Sequence, residues 1–506
     1  MREHDTMNGQ KGLPGQLFRA EQVRELDRCA IEDFSIPGIT LMRRAGQFTF
    51  DQLLARWPNA HKLSIWCGGG NNGGDGYIVA GLARQRGMDV QLVALTEEGR
   101  LTGDAALACQ WAKGCGVVFT PYTETLNVAG DVIVDALLGT GLENQVRAPF
   151  SHAIAHINRS RVPVVAVDVP SGLNSDSGAI MGEAVWAQLT VSFIGLKRGQ
   201  FTAKGLVCCG DVVFDGLGVP AEVYERVKAE VVRFGGENLA PAFPPRQRDA
   251  HKGHFGHVLI VGGNMGFGGA VMMAAQAAGR VGAGLVSVAT RSEHVTALLA
   301  RCPEVMARGV NDGKSLGVLL EGKDVIVVGP GLGQDTWARQ LLEQVLATDL
   351  PLVVDADALN LLATMGGSQD RRNNWIMTPH PGEAAKLMQT TVPEVQADRF
   401  AAVQALQQCY GGVSLLKGNG TLVKGFTGQP IALCSSGNPG MASGGMGDVL
   451  SGVLGGLLAQ GFELEQAASI GAVLHSTAAD QAAKKGERGM LATDLLPYLR
   501  ELVNPC

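Results

Sequence analysis

Short apolar runs that end in a glycine-rich, Asp- or Asn-bearing turn and then pass into a helical segment recur through almost the whole chain. L-S-I-W-C (Leu63–Cys67) runs into G-G-G-N-N-G-G-D-G, and Tyr77–Arg86 beyond it has helical spacing. Strands are expected at Asp89–Leu95, Asp131–Leu138 and Pro163–Val169, with helices at Gly103–Lys113 and Pro149–Arg159 between them. Two helices, Ala20–Phe34 and about Thr40–Trp57, precede them. This alternation has one economical solution: a mainly parallel sheet with helices on both faces and ligands outside the carboxyl ends of the strands. Glycine makes up 69 of 506 residues, roughly twice the ~7% average, and lies within apolar segments, which points to ligand-cradling turns.

The second half repeats the pattern. Val258–Val261 enters G-G-N-M-G-F-G-G and then a helix, Ala270–Arg280. Strands are expected at Gly284–Thr290, Asp324–Val328, Leu352–Val354, Ile376–Met377 and Val413–Leu416, with a short helix at His294–Leu299. A proline cluster, P-A-F-P-P-R-Q-R, separates the halves and gives residues 1–225 as one domain, 226–245 as a linker and 246–506 as a second domain. No charge lies between Val258 and Gly279, long enough to span a bilayer, but its glycine run reads as strand, loop and helix.

A net charge of −6 gives no electrostatic case for nucleic acid or an anionic membrane. The ten cysteines include no C-x-x-C, so reduced thiols in a cytoplasmic protein fit best. His251, His254 and His257 in H-K-G-H-F-G-H lack the carboxylate or Cys that would complete a familiar zinc spacing.

The strongest chemical signal is Gly437–Gly452, G-N-P-G-M-A-S-G-G-M-G-D-V-L-S-G, which delivers Asp448 to the start of a helix expected over Val449–Leu458. Backbone amides converging at a helix N-terminus suit a transferring phosphate, and a carboxylate beside it can take a proton from an attacking hydroxyl. An N-cap aspartate in a tight loop is the plainer alternative. In the first half, Asn71, Asn72, Asp75, Asp135, Thr140, Asp168 and Ser171 all fall at strand ends. Lys197, in F-I-G-L-K-R-G, reads as a surface lysine, with a dinucleotide-phosphate contact as the alternative.

N-N-G-G-D-G, D-A-L-L-G-T-G and D-V-P-S-G-L together resemble the NAD(P)H-hydrate epimerase family over roughly Arg19–Pro220. The resemblance implies an N-terminal Rossmann-like doubly wound domain that interconverts the R and S forms of NADH and NADPH hydrated at ring carbon 6. It implies a dinucleotide site lined by Asn71, Asn72, Gly73, Gly74 and Asp75, and by Gly139, Thr140, Gly141, Leu142, Glu143, Asn144 and Gln145. It implies K+ held by Asn72, Asp135 and Ser171, and Asp168 against the hydrated nicotinamide. Asp168 is then the candidate acid/base group, because epimerisation at this carbon needs ring opening and proton movement.

H-K-G-x-F-G, G-P-G-L-G, D-A-D-A-L-N, T-P-H-P-G-E, K-G-x-x-T and the Gly437–Gly452 stretch resemble the nucleotide-dependent NAD(P)H-hydrate dehydratase family over about Pro245–Leu502. That implies a C-terminal ribokinase-like α/β domain using ADP, or ATP, with Mg2+. The poor hydroxyl leaving group is phosphorylated and phosphate is eliminated; ADP becomes AMP and phosphate. By resemblance the nucleotide meets Lys417, Gly418, Asn419, Gly420 and Thr421. It also meets Asn438, Pro439, Gly440, Met441 and Ala442, and Ser443, Gly444, Gly445, Met446 and Gly447. The hydrate faces Gly333, His380, Pro381, Gly382, Glu383, Ala384, Ala385, Lys386 and the catalytic Asp448. Glu383 reads either as a Mg2+-mediated nucleotide contact or as a helix-start acid; Asp355 and Asp357 read either as structural or as ordering the site. The resemblance also implies a homo-oligomer acting on small molecules.

Two rivals stand beside the repair reading: a small-molecule kinase that releases a stable phosphorylated product, and a non-enzymatic nucleotide-binding protein. T-P-H-P-G-E paired with D-A-D-A-L-N, and the presence of Asp448, Asp168, Asn72 and Asp135, argue against both.

Overall fold

The computed structural model describes residues 12–365, 371–426 and 428–504. The chain divides into two compact units, Met1–Val231 and Val232–Cys506. The division falls within a short strand, Val231–Phe234, and the 3-10 turns Gly236–Asn238 and Ala240–Ala242 follow it. Residues 226–245, expected as a linker, are therefore partly ordered into elements.

In the first unit, seven parallel strands are β1 (Lys62–Cys67), β2 (Asp89–Ala94), β3 (Phe119–Pro121), β4 (Val132–Ala136), β5 (Val164–Val167), β6 (Leu189–Phe193) and β7 (Asp211–Asp215). Their order is β3-β2-β1-β4-β5-β6-β7. The apolar runs lack polar alternation because both faces are covered. Successive residues point to opposite cores: Ile65 and Val134 pack with Phe50 and Ile78, whereas Trp66 and Ile133 pack with Ile154 and Ile157. The covering helices are α1 (Ala20–Arg28), which widens into a π turn at Cys29–Asp33, α2 (Gly38–Arg56), α3 (Asn71–Gln85), α4 (Gly103–Gly114) and α5 (Phe150–Ser160).

One expectation is corrected here. The helix after β1 starts at Asn71, not Tyr77, so N-N-G-G-D-G is its first turns rather than a loop. The glycines serve close approach: a Cβ on Gly73 would lie 2.1 Å from the Gly68 carbonyl oxygen. Poor helix propensity is overridden by this packing.

The second unit holds β8 (His257–Val261), β9 (Leu285–Thr290), β10 (Met306–Gly309), β11 (Val325–Val328), β12 (Leu352–Val354), β13 (Trp375–Met377), β14 (Val413–Leu416), β15 (Thr421–Lys424) and β16 (Ile431–Cys434). The order is β10-β9-β8-β11-β12-β13-β14-β15-β16. All pairings through β14 are parallel; β14-β15 and β15-β16 are antiparallel. Its helices include α6 (Gly268–Arg280), α7 (Thr336–Leu346), α8 (Ala356–Thr364), α9 (Pro381–Leu387), α10 (Arg399–Tyr410), α11 (Met446–Ala459) and α12 (Leu464–Ala483). The apolar stretch 258–279 is thus β8, a turn and most of α6, and no helix among the described residues is long and apolar enough to cross a membrane.

Helix α11 is apolar on all sides because it is buried on all sides. Val453, Leu454 and Leu457 are inaccessible and share a core with Val271, Ala274, Val327 and Leu474. A Cβ on Gly452 would lie 2.1 Å from the Ala274 carbonyl oxygen of α6, so a side chain there would force the two helices apart. This packing fixes the N-terminus of α11, and with it Asp448.

Candidate active sites

In the first unit the strand order reverses between β1 and β4, which opens a crevice at their carboxyl ends. The loops after β1, β4 and β5 meet there. Asp135, the fourth residue of β4, is fully buried. It accepts hydrogen bonds from the Ser171 amide (2.8 Å), the Ser171 hydroxyl (2.6 Å) and the Leu137 amide (3.3 Å). Burial pushes its pKa up to about 6, against the Ser171 bonds. The Leu138 amide reaches the Ser171 hydroxyl at 2.8 Å, and the next residue, Gly139, lies beside Asn72: a Cβ on it would be 3.2 Å from that of Asn72. The Asn72 Nδ2 is buried and has no partner among the described residues. Thr140 accepts from the Ser175 hydroxyl at 3.5 Å and Leu142 from the Asn174 carboxamide at 3.2 Å, so the Gly139–Gln145 turn is tied to the segment after β5.

Asp168 follows β5 with φ +64°, a left-handed conformation uncommon for a residue with a side chain. Its Oδ1 takes a short hydrogen bond from the Lys197 ammonium. The expectation of a surface lysine is overturned: Lys197 is inaccessible. Two further carboxylates act on this pair. Asp75, on the second turn of α3, is pushed well above the ordinary carboxylate range by burial and then by Asp168 and Asp27, with Lys197 opposing. Asp27, on α1, is pushed up to about 6 by burial, against the pull of Lys197. Asp27 was invisible in the sequence, since an acid at the exposed-looking end of an amphipathic helix carries no signal.

In the second unit the order reverses between β8 and β11. Here the Gly333 amide donates to Asp357 at 2.8 Å. Asn264 ties the two loops, donating to the Leu332 carbonyl and Asp335, both at 3.1 Å. Further along the edge, four charged residues converge. Asp355, 1% exposed, accepts from the Lys417 ammonium and from the Ser451 hydroxyl, both at 2.6 Å. Ser451 lies one turn beyond Asp448 on α11. The Lys417 ammonium is also 3.8 Å from Glu383. Asp355 stays below the usual carboxylate range: burial opposes ionisation, but Lys417 and Ser451 outweigh it. Among the described residues neither Asp448 nor Glu383 takes a hydrogen bond from Lys417 as Asp355 does, and burial pushes each up to about 7, with Asp355 adding to the rise and Lys417 reducing it.

Each acid left open by the sequence has a structural partner. Asp355 anchors Lys417 to α11, and Asp357 anchors the loop at Gly333. Glu383 is a helix-start acid, its Oε2 accepting the His380 amide at 2.8 Å in a capping box. Lys417, expected as a phosphate contact, spends its nearest bond on Asp355.

The glycine-rich loop begins pinned to α12: Asp480 accepts from the Gly437 amide (3.0 Å) and the Asn438 carboxamide (2.9 Å). Its Ser443 hydroxyl has no partner among the described residues. The Lys417–Thr421 turn is braced by buried Arg399, which donates to the carbonyls of Leu416, Lys417 and Gly420 at 3.2–3.3 Å. Asp480 and Arg399 lie outside every motif, and Ser451, though within the Gly437–Gly452 stretch, meets an Asp355 that is 96 residues away, so local sequence could not single out these contacts.

A doubly wound unit and a second α/β unit, each with its polar residues gathered on the carboxyl edge of its sheet, define a two-domain α/β enzyme. The NAD(P)H-hydrate dehydratase family model matches residues 258–501, and the model for the YjeF-related protein N-terminus matches residues 38–199. The chain is 50% identical over 490 residues to the bifunctional NAD(P)H-hydrate repair enzyme Nnr of Coxiella burnetii, covering 97% of this chain and 99% of that one. It is 42% identical over 510 residues to the Escherichia coli enzyme of the same name, covering 100% and 97%. Among solved structures, a ribokinase-like superfamily protein from Enterococcus faecalis is 33% identical with TM-score 0.50, covering 54% of this chain and 95% of that one. The chain belongs to the bifunctional NAD(P)H-hydrate repair enzyme family, with a Rossmann-like epimerase half and a ribokinase-like dehydratase half.

Proposed function

We propose that the first unit epimerises hydrated NADH and NADPH at the β1/β4 crevice, and that the second dehydrates the S form by phosphoryl transfer from ADP or ATP. The observation that carries the second part is Asp448: a carboxyl with pKa about 7 at the N-terminus of a helix, beside a glycine-rich loop. At neutral pH such a group is both populated as carboxylate and basic enough to take a hydroxyl proton. Amides of Gly444–Gly447 and the start of α11 offer donors to the charge on the transferred phosphoryl group. Lys417 and Asp355 hold α11 and the β14 turn at a fixed distance, so the base and the phosphate cradle share one rigid support.

Mg2+ enters this reading as the counter-ion of the nucleotide phosphates. K+ fits the first unit on the chemistry of its donors. Asp135 is a fully buried carboxylate whose partners are neutral, and Asn72 leaves a buried amide group unpaired; turning that carboxamide over would aim its oxygen there. Asn72, Asp135 and Ser171 together present carboxylate, hydroxyl and amide oxygens, the set a hard cation takes. Bound K+ would neutralise Asp135. Replacing Asp135 by Asn is expected to abolish the rise in unfolding temperature that K+ gives the unmodified protein; a K+ response unchanged in Asp135→Asn would remove this assignment. A homo-oligomer in the cytoplasm completes the reading.

The dehydration rate is expected to rise as pH passes through about 7 and to level off above it, because the base acts only when ionised. A rate–pH profile flat from pH 5 to pH 9 would contradict the role given to Asp448. Product analysis separates the kinase rival: one AMP and one inorganic phosphate per reduced nucleotide formed from ADP supports the dehydratase, and a stable phosphorylated product overturns it.

A further inference from the structure

Ring opening at the hydrated carbon calls for a correctly aimed base, and the buried Lys197 bears on that requirement. Its ammonium has three N–H donors, and three acceptors meet them: Asp168 Oδ1, the Ser192 hydroxyl at 3.1 Å and the Phe193 carbonyl at 3.0 Å. With every donor engaged and no accessible surface, it has no proton to offer a ligand. Gln200 ties the same two residues through their backbones, donating to the Asp168 carbonyl at 2.9 Å and accepting the Lys197 amide at 3.0 Å. Asp168 itself is held at φ +64°, with its amide on the Val191 carbonyl at 2.8 Å. Such strain persists where surrounding structure over-determines it, and it gathers at functional sites. Oδ1 is taken by Lys197, with the Phe193 amide at 3.4 Å; Oδ2 accepts no hydrogen bond among the described residues, and the side chain is 17% exposed.

Resting on the epimerase reading above, we propose that Lys197 is the positioning residue of the epimerisation: its buried ammonium fixes one oxygen of Asp168, so that the other oxygen is presented to the C6 hydroxyl of the hydrate. The step balances without a redox partner. Asp168 Oδ2 takes the hydroxyl proton, the C6–O bond becomes a carbonyl, and the C6–N1 bond breaks with its electron pair going to N1. N1 takes a proton from water. Rotation about the C5–C6 bond and reversal of these steps close the ring on the opposite face. The charged and titratable groups around the pair are Asp27 from α1, Asp75 from α3 and Lys197 itself, and the Tyr224 hydroxyl is engaged on the Ile194 carbonyl nearby at 2.8 Å.

The test follows interconversion of chromatographically separated R and S hydrates against pH in the full-length protein. Lys197→Met is expected to lower kcat by about 100-fold with KM little changed, the lower end of the range for losing an effective base. The acidic limb of the profile is expected to move upward by about 1 unit or more, because a cation beside a carboxylate favours its ionised form. Ser192→Ala, which leaves the charge in place, is expected to cost only a few-fold with the profile unmoved. Asp168→Asn/Lys197→Met is expected to be no slower than Asp168→Asn alone, since Lys197 acts through Asp168. The double variant also lacks both buried charges, so it decides the matter if Lys197→Met does not fold. A Lys197→Met profile with its acidic limb unmoved would overturn the inference. So would a double variant slower than Asp168→Asn by a further large factor. No interconversion by the unmodified protein would instead overturn the epimerase reading on which it rests.

Discussion

Asp448→Ala is expected to reduce nucleotide-dependent dehydration by at least about 1,000-fold, within the span that loss of a general base produces, while R/S interconversion continues at the unmodified rate. The reasoning joins three observations. Asp448 is the third residue of a helix whose N-terminus closes the glycine-rich loop. Burial, and after it the neighbouring Asp355, push its carboxyl up to about 7. Among the described residues it also makes no hydrogen bond like the one that commits Asp355 to Lys417. A group with those properties has chemistry available to it that its neighbour lacks. Asp448→Asn keeps the shape and removes the base, so it should match Asp448→Ala in rate and equal the unmodified protein in stability. Dehydration near the normal rate in either variant would move the base elsewhere, Glu383 being the next carboxyl with a pKa near 7.

Lys417→Met is expected to have the second large effect, and chiefly on stability. It would leave Asp355, 1% exposed, without its cation. Breaking a buried pair by removing one partner costs about 3–5 kcal/mol, most of it the penalty of the stranded charge. A lowered unfolding midpoint should therefore accompany lost activity. Asp355→Asn/Lys417→Met removes both charges and should recover most of the midpoint without recovering activity, because the link from β14 to Ser451 on α11 is gone. If the double variant were as unstable as Lys417→Met, the pair would not be what holds this edge of the sheet. The buried Lys417–Asp355 arrangement thus separates a structural role from a chemical one in a way that a single substitution cannot.

The layered architecture was legible because parallel strands covered on both faces are written as uninterrupted apolar runs, such as V-I-V-V at β11, and because the polar residues stand where those runs stop. Most strand and helix positions differed from expectation by only one or two residues. N-N-G-G-D-G misled because glycine has low intrinsic helix propensity, while the reason for its being helical, the approach of Gly73 to the Gly68 carbonyl, is a contact in space. Lys197 misled for a related reason. Its partner Asp168 lies 29 residues earlier, and a lysine next to an arginine reads locally as surface. Asp355 and Asp357 sit in one D-A-D-A-L-N motif, yet one turns inward to Lys417 and the other to the Gly333 amide. Two residues apart at a helix start, they point in different directions, which no spacing rule distinguishes. Chemistry-bearing residues were thus found by position along the chain, and the charge pairs that set their protonation only by position in space.

The central claim is that one chain both interconverts the hydrates and returns them to NADH or NADPH. Its most direct measurement is the recovery of reduced-nicotinamide absorbance from a mixture of R and S hydrates, with Mg2+, K+ and either ADP or ATP, against a nucleotide-free control. Complete recovery, faster than spontaneous epimerisation allows and absent without nucleotide, is the predicted result. Recovery that stalls when one epimer is exhausted would contradict the role of the first unit, and no recovery with either nucleotide would contradict the account as a whole.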